Sequence, residues 1–268
     1  MTDGSPAYAT SADGTRIAYD VVGSGPSVVI VSGAFGTRTD ARELAGVLSK
    51  RFAAAGYDRR GRGDSGDTRP YAPARELDDL RAVIDALGGS AFVYGHSSGG
   101  ALSLDAAAAG LPIMKLAVYE PPFTIDDSRP PYPDGFIATL RGLVEAGRRG
   151  DAIAEFWRTG LLMPEPEIEN ARQAPLWPQL ESLAHTLIYD YEVLGNRISG
   201  RPLSAAWADS IAIPVLILEG GDSPATLRNV VTSLAELLPN ATKRTLAGQG
   251  HGAPADMLAP ILESFFGD

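Results

Sequence analysis

The chain predicts an α/β protein: a mostly parallel sheet covered by helices on both faces. Three observations carry this. Short apolar runs alternate with amphipathic segments along most of the sequence, as strands and covering helices do. The run at 27–31, Ser-Val-Val-Ile-Val, is almost wholly β-branched and does not alternate, which fits a strand buried on both faces. Around Gly95-His96-Ser97-Ser98-Gly99 an apolar run, a glycine-flanked turn and a helix-forming stretch follow one another.

Taken in order, residues 7–11 and 15–22 read as strands joined at the Asp13-Gly14 turn, a hairpin signal. After the strand at 27–31, residues 39–49 have helical spacing through Leu44, Val47 and Leu48, and 52–57 form a short strand. Residues 74–87 predict a helix with Leu77, Leu80, Val83, Ile84 and Leu87 on one face. Then come a strand at 91–94, a helix at 98–109 and a strand at 113–119. The alternation stops after Glu120-Pro121-Pro122-Phe123. Residues 124–208 contain no β-branched strand, only proline-rich stretches and amphipathic segments at 136–149, 152–162 and 175–191. Sheet signals resume at 213–219, followed by a helix at 225–238, a strand at 242–246 and a helix at 257–266. The chain therefore divides into a core domain, 1–123 with 209–268, and a helical cap inserted at 124–208 and lying over the sheet edge.

Bulk properties exclude several functions. A chain of 268 residues with 44% hydrophobic content can bury a sizeable core. A formal charge of −10 disfavours nucleic-acid backbones and anionic membrane surfaces as partners. The absence of cysteine excludes disulfides, thiolate catalysis and Cys-ligated metals. Residues 1–14 are polar and lack the basic and apolar regions of a signal peptide, and no run reaches the ~18 apolar residues of a membrane span; the expectation is a cytoplasmic protein. No His-x-x-x-His cluster occurs, and no Gly-x-Gly-x-x-Gly directly follows the strands at 7–11, 15–22 and 27–31, so neither metal nor other cofactor is expected, and the partner is a small molecule. The oligomeric state is not legible.

The turn at 95–99 carries the chemistry. Glycines two before and two after Ser97 let strand and helix close up, force the serine into a strained backbone and lift its Oγ above the sheet. A serine there needs a base, and the base needs an orienting acid. Only His96, His185 and His251 are available. His251 follows the last strand in a glycine-rich loop and is the expected base. His96 lies inside the turn, packed or capping, and His185 sits on a helix of the insertion. For the acid, Asp222, after the strand at 213–219, is preferred; a helix and a strand fit between it and His251. Glu120, at the end of the strand at 113–119, is the alternative. An oxyanion hole needs two backbone N–H groups: Ser98 supplies one, and Ala34 (or Phe35), in the loop Ser32-Gly33-Ala34-Phe35-Gly36, the other.

With Tyr57-Asp58-Arg59-Arg60-Gly61-Arg62-Gly63-Asp64-Ser65 and Gly248-Gln249-Gly250-His251, the turn gives a chain that resembles the α/β-hydrolase superfamily over nearly its whole length. The resemblance implies the α/β-hydrolase fold and the order nucleophile, acid, histidine. It leaves the Asp58 and Arg60 region structural. Two positions depart from the common pattern: Ser32-Gly33 stands where His-Gly is usual, and the fourth place of Gly-x-x-Asp falls on Ser223, with Asp222 one position early. Serine at the nucleophile position resembles esterases, lactonases, thioesterases and cofactor-free perhydrolases, and argues against the dehalogenases and epoxide hydrolases of this fold, which carry aspartate there.

The expected reaction is acyl transfer from a small-to-medium, largely apolar ester or lactone through a Ser-His-Asp triad. Phe35, Phe123, Trp157 and Tyr189 are the candidate substrate contacts, since pockets are lined mainly by apolar and aromatic groups. The other aromatics of the insertion (Phe136, Phe156, Trp177, Tyr191, Trp207) read as packing. Two alternatives stay open: a lyase or cyclase acting on a natural-product intermediate, and a ligand-binding protein with a silent triad.

Overall fold

The computed structural model describes residues 5–267; residues 1–4 and 268, the ends of the expected core domain, lie outside them. Strands β1 (Ala7–Thr10) and β2 (Arg16–Val22) form the hairpin, closed at Gly14 by its N–H to the Ser11 carbonyl. There follow β3 (Ser27–Val31), α1 (Arg42–Leu48), β4 (Ala53–Tyr57), α2 (Pro73–Ala86), β5 (Ala91–His96), α3 (Ser98–Ala108) and β6 (Ile113–Tyr119). The helices α4 (Phe136–Glu145), α5 (Arg149–Glu155), α6 (Glu165–Arg172), α7 (Trp177–Leu183), α8 (Leu187–Leu194) and α9 (Ala205–Asp209) come next. The chain ends with β7 (Val215–Gly220), α10 (Ala225–Leu237), β8 (Ala241–Leu246) and α11 (Ala255–Gly267).

The eight strands form one sheet in the order β1-β2-β4-β3-β5-β6-β7-β8. β2 runs antiparallel to β1 and β4, and all other neighbours are parallel. Strand pleating sends alternate side chains to opposite faces, and the core splits accordingly. Val29, Val31, Val93, Val118 and Ile217 face a cluster that includes α2, α3, α10 and much of the helical segment between β6 and β7. Val28, Ile30, Phe92, Tyr94, Tyr119 and Leu218 face α1 and α11. Among the described residues no helix is long and apolar enough to cross a membrane.

Between β6 and β7 the chain is helical without a strand among the described residues, but its segmentation differs from the sequence expectation. The stretch 136–149 breaks where Gly147 turns left-handed (φ +73°). The segment at 152–162 runs as the end of α5 and then a π-helical turn, Phe156–Gly160. The stretch 175–191 divides into α7, a 3₁₀ turn over Ala184–Thr186 and α8. Helix α6 lacks an apolar stripe, with only Ile168 buried, and so gave no periodic signal.

Candidate active site

The site is assembled at the carboxyl ends of β3, β5, β6 and β8. Ser97 sits between β5 and α3 with φ +55° and ψ −126°, a conformation that costs a non-glycine residue of order 1–3 kcal/mol. The glycines around it explain how the chain holds this shape. A Cβ on Gly95 would stand 2.7 Å from Gly100 Cα, and one on Gly99 2.3 Å from the Val31 carbonyl oxygen. Helix α3 therefore presses directly on the ends of β3 and β5. The Ser98 amide is the first of α3, one of the N–H groups that a helix start leaves without an intrahelical partner.

His251 Nε2 lies 3.1 Å from Ser97 Oγ, and its Nδ1 lies 2.7 Å from Glu120 Oε2. Glu120 is fully buried, and its second oxygen accepts the Gly220 N–H at 2.8 Å. The carboxylate is thus fixed at both oxygens and aimed at the ring. Strand register explains its place: β6 pairs with β5 through His96 and Tyr119, and the Ser97 N–H donates to the Tyr119 carbonyl. The residue after Tyr119 therefore emerges beside the serine, with φ +44°.

The loop carrying His251 is held from two sides. Tyr119 Oη donates to the Gly250 carbonyl and His96 Nε2 to the His251 carbonyl, each at 2.7 Å. Burial, together with the neighbouring His251, pushes the His96 pKa down to about 4 despite that hydrogen bond. His96 is therefore a neutral N–H donor at pH 7 and a clamp on the His251 loop. His185 lies on the 3₁₀ turn before α8, 4.0 Å from the Asp67 carboxylate, far from this line of groups in both sequence and partners.

The preferred acid, Asp222, stands apart from this line of groups. It is exposed, its N–H donates to the Gln249 carbonyl, and the structure pairs its carboxylate with no group among the described residues. It follows β7, one strand further from β5 than β6 is. The neighbouring Ser223, where the common pattern has its carboxylate, is buried.

The loop after β3 turns tightly at Gly33–Gly36, closed by the Gly36 N–H to the Gly33 carbonyl at 3.1 Å with Phe35 at φ +60°. It packs on Ser97: a Cβ on Gly33 would lie 2.8 Å from Ser97 Cβ. The Ala34 and Phe35 amides make no backbone hydrogen bond among the described residues. Arg62, which sequence reasoning gave no role, donates from Nη1 to both the Gly33 and Gly36 carbonyls. A cavity of about 460 Å³ adjoins the site; its lining includes Gly33, Phe35, His96, Gly252 and Pro254, the leucines at 176, 180 and 183, and the carboxylates Asp40 and Glu43.

Of the four candidate substrate contacts, Phe35 lines this cavity and meets Phe156 edge-on at 5.8 Å. The others are occupied elsewhere. Phe123 is buried against Trp207 and the Arg197 guanidinium. Tyr189 is buried, stacked on Tyr71 at 3.8 Å, with its hydroxyl on Asp67. Trp157 packs edge-on against Trp177 at 5.4 Å. All three were chosen as aromatics near the cap, and aromatic area is also what glues helices together. Among the described residues no group of three or more His, Asp or Glu side chains is placed to hold a metal ion.

Residues 28–261 match the Alpha/beta hydrolase family, and the chain belongs to it. It is similar to an alpha/beta hydrolase from Sphaerobacter thermophilus DSM 20745, with 49% identity and a TM-score of 0.91 over 97% of this chain and 100% of that one. At 21% identity and a TM-score of 0.68 it shares its fold with an esterase from Rhodococcus sp. ECU1013, covering 99% of both chains. The same identity and score relate it to the enol-lactonase from Burkholderia xenovorans LB400, over 98% of this chain and 100% of that one. No curated protein matches it.

Proposed function

We propose that the protein is a serine hydrolase that cleaves a small-to-medium, largely apolar carboxylic ester or lactone through an acyl-enzyme. The observation that carries this reading is the hydrogen-bonded line Ser97–His251–Glu120, with the Gly33–Gly36 turn packed on the serine. His251 Nε2 takes the proton of Ser97 as Oγ attacks the substrate carbonyl. The Ser98 and Ala34 amides receive the negative charge that develops on the carbonyl oxygen. The tetrahedral intermediate expels the alcohol oxygen, which leaves with the proton from His251. Water then repeats the sequence on the acyl-enzyme and releases the acid. Glu120 accepts Nδ1–H throughout, which holds the ring in the tautomer that can receive the serine proton and stabilises the imidazolium.

The helical segment 124–208 acts as a cap in this reading. The adjoining cavity has an apolar side, Phe35, Leu176, Leu180, Leu183, Pro254 and Leu258, that suits an apolar arm of the substrate, and a polar side with Ser32, Asp40, Glu43 and Gln179. The esterase and lactonase names among structures of this fold are consistent with the same chemistry. The test is turnover of short- and medium-chain neutral esters and lactones in ¹⁸O-labelled water. The acid released should carry one label from solvent. Product forming without solvent oxygen would replace hydrolysis by a lyase or cyclase reaction.

A further inference from the structure

Behind the nucleophile lies a cluster of charges that the chemistry above does not use. Asp190, on α8, is 3% exposed. Its Oδ1 accepts Arg59 Nη1 at 2.7 Å, Arg62 Nη2 at 2.8 Å and the Ser98 hydroxyl at 2.7 Å, and its Oδ2 accepts Arg62 Nη2 at 2.9 Å. The opposite edge of Arg59 grips Glu76 with two bonds of 2.7 and 2.8 Å. Two guanidiniums and two carboxylates thus form a buried, neutral group, with Arg59, Arg62 and Glu76 each 1% exposed.

A buried ion cluster could serve only to dock one element on another. This one is distinguished by where its far ends go. Arg62 reaches with Nη1 to the carbonyls at both ends of the Gly33–Gly36 turn, which carries one oxyanion amide. Ser98, whose hydroxyl Asp190 holds, carries the other. A single carboxylate of the helical insertion therefore touches the residue that carries one half of the oxyanion hole and is one residue removed from the turn that carries the other.

We propose that Asp190 is a positioning residue that ties the seating of the cap to the geometry of the oxyanion hole; the catalytic consequence rests on the hydrolase reading given above. With Asp190 in place the Gly33–Gly36 turn and the start of α3 are drawn onto one anchor. Without its charge, two guanidiniums face a single carboxylate in a water-poor interior, and such an uncompensated arrangement rearranges or takes up water. Both amides then lose their aim, and a misplacement of about 1 Å is enough to cost a large factor in rate. Burial alone would raise the Asp190 pKa, but Arg62 and Arg59 together with the Ser98 hydroxyl hold it below the usual carboxylate range, so the anchor keeps its charge.

The test compares Asp190→Asn and Ser98→Ala with the wild type. Three quantities are read: kcat and KM on a neutral ester, the rate of Ser97 phosphonylation by a fluorophosphonate, and amide hydrogen exchange. For Asp190→Asn, kcat and phosphonylation should both slow at least ~10-fold while KM moves less than ~3-fold, the split expected when transition-state binding is lost. Exchange should rise at residues 33–36 and 97–99 as well as in α8. Rates within ~2-fold of wild type, or faster exchange confined to α8, would overturn the proposal. Ser98→Ala keeps all four charges and removes one arm; it should slow both rates about 3- to 10-fold, and unchanged rates there overturn the role even where Asp190→Asn does not fold. A wild type that resists phosphonylation would instead sink the hydrolase reading, while the exchange measurement still decides the coupling between insertion and turn.

Discussion

Replacing Glu120 by Gln tests the choice of acid through the tautomer of His251. Glu120 Oε1 accepts the Gly220 N–H at 2.8 Å, and Oε2 faces His251 Nδ1 at 2.7 Å. A glutamine there has one oxygen and one NH₂ group. If the oxygen stays on the Gly220 N–H, the NH₂ points at Nδ1 and that nitrogen must become an acceptor. The ring then carries its proton on Nε2, 3.1 Å from Ser97 Oγ, and cannot take the serine's. If the amide flips instead, its NH₂ meets the Gly220 N–H and a buried donor pair results. The flipped arrangement keeps the tautomer but leaves two buried donors face to face, so the first prevails, and loss of the correct tautomer costs roughly three to four orders of magnitude in kcat, about 4–5 kcal/mol of barrier. Asp222→Asn, at an exposed position, should leave kcat within about twofold, the usual range for surface changes. The assay is hydrolysis of a neutral chromogenic ester at pH 7–8, with folding checked by near-UV circular dichroism. An inactive Asp222→Asn beside an active Glu120→Gln would refute the reasoning.

Three further outcomes follow from the same geometry. The unfolded imidazole of His96 titrates near 6.5 and the folded one near 4; between these values the unfolded chain holds the extra proton, so stability is complete above pH 6.5 and falls by at most about 3 kcal/mol toward pH 4. Denaturant titrations across that range should show the loss, and His96→Gln should flatten it. Gly33→Ala puts a Cβ 2.8 Å from Ser97 Cβ; the turn must shift, and kcat should fall about 100-fold or more with a smaller change in KM. Tyr189→Phe removes the hydroxyl that bonds Asp67 and should lower stability by about 1 kcal/mol in thermal unfolding while kcat/KM stays within about twofold; a large loss of activity would put Tyr189 back in the binding site.

The succession of strands along the chain and the serine turn were readable because each has a local cause. β-branched runs make buried strands, and Gly95 and Gly99 sit where α3 must touch the strand ends. The acid was not readable in the same way. Asp222 and Glu120 both follow strands, and only the pairing of β6 beside β5, with the positive φ of Glu120, brings one of them to His251. The segment Glu120-Pro121-Pro122 gives no composition signal for that. The arginines at 59 and 62 are visible in the sequence, but their partner Asp190 is 128 positions or more away on a helix of the insertion, and such pairings leave no periodicity. The surroundings of the aromatics were likewise not readable, because Phe123 and Tyr189 look the same in sequence whether they face a cleft or a neighbouring ring. The helix break at Gly147 has a local cause, a left-handed glycine just past the helix end with nothing packed against it, whereas the π turn at Phe156–Gly160 depends on tertiary packing, such as Tyr191 Oη seated against Gly160.

The most direct test of the whole account is whether Ser97 is an activated nucleophile. The folded wild type is treated with a fluorophosphonate at neutral pH and read by intact mass and peptide mapping. The account predicts one adduct per chain, on Ser97, absent in Ser97→Ala and in His251→Ala. A folded wild type that takes up no label, or takes it on another serine, would contradict it.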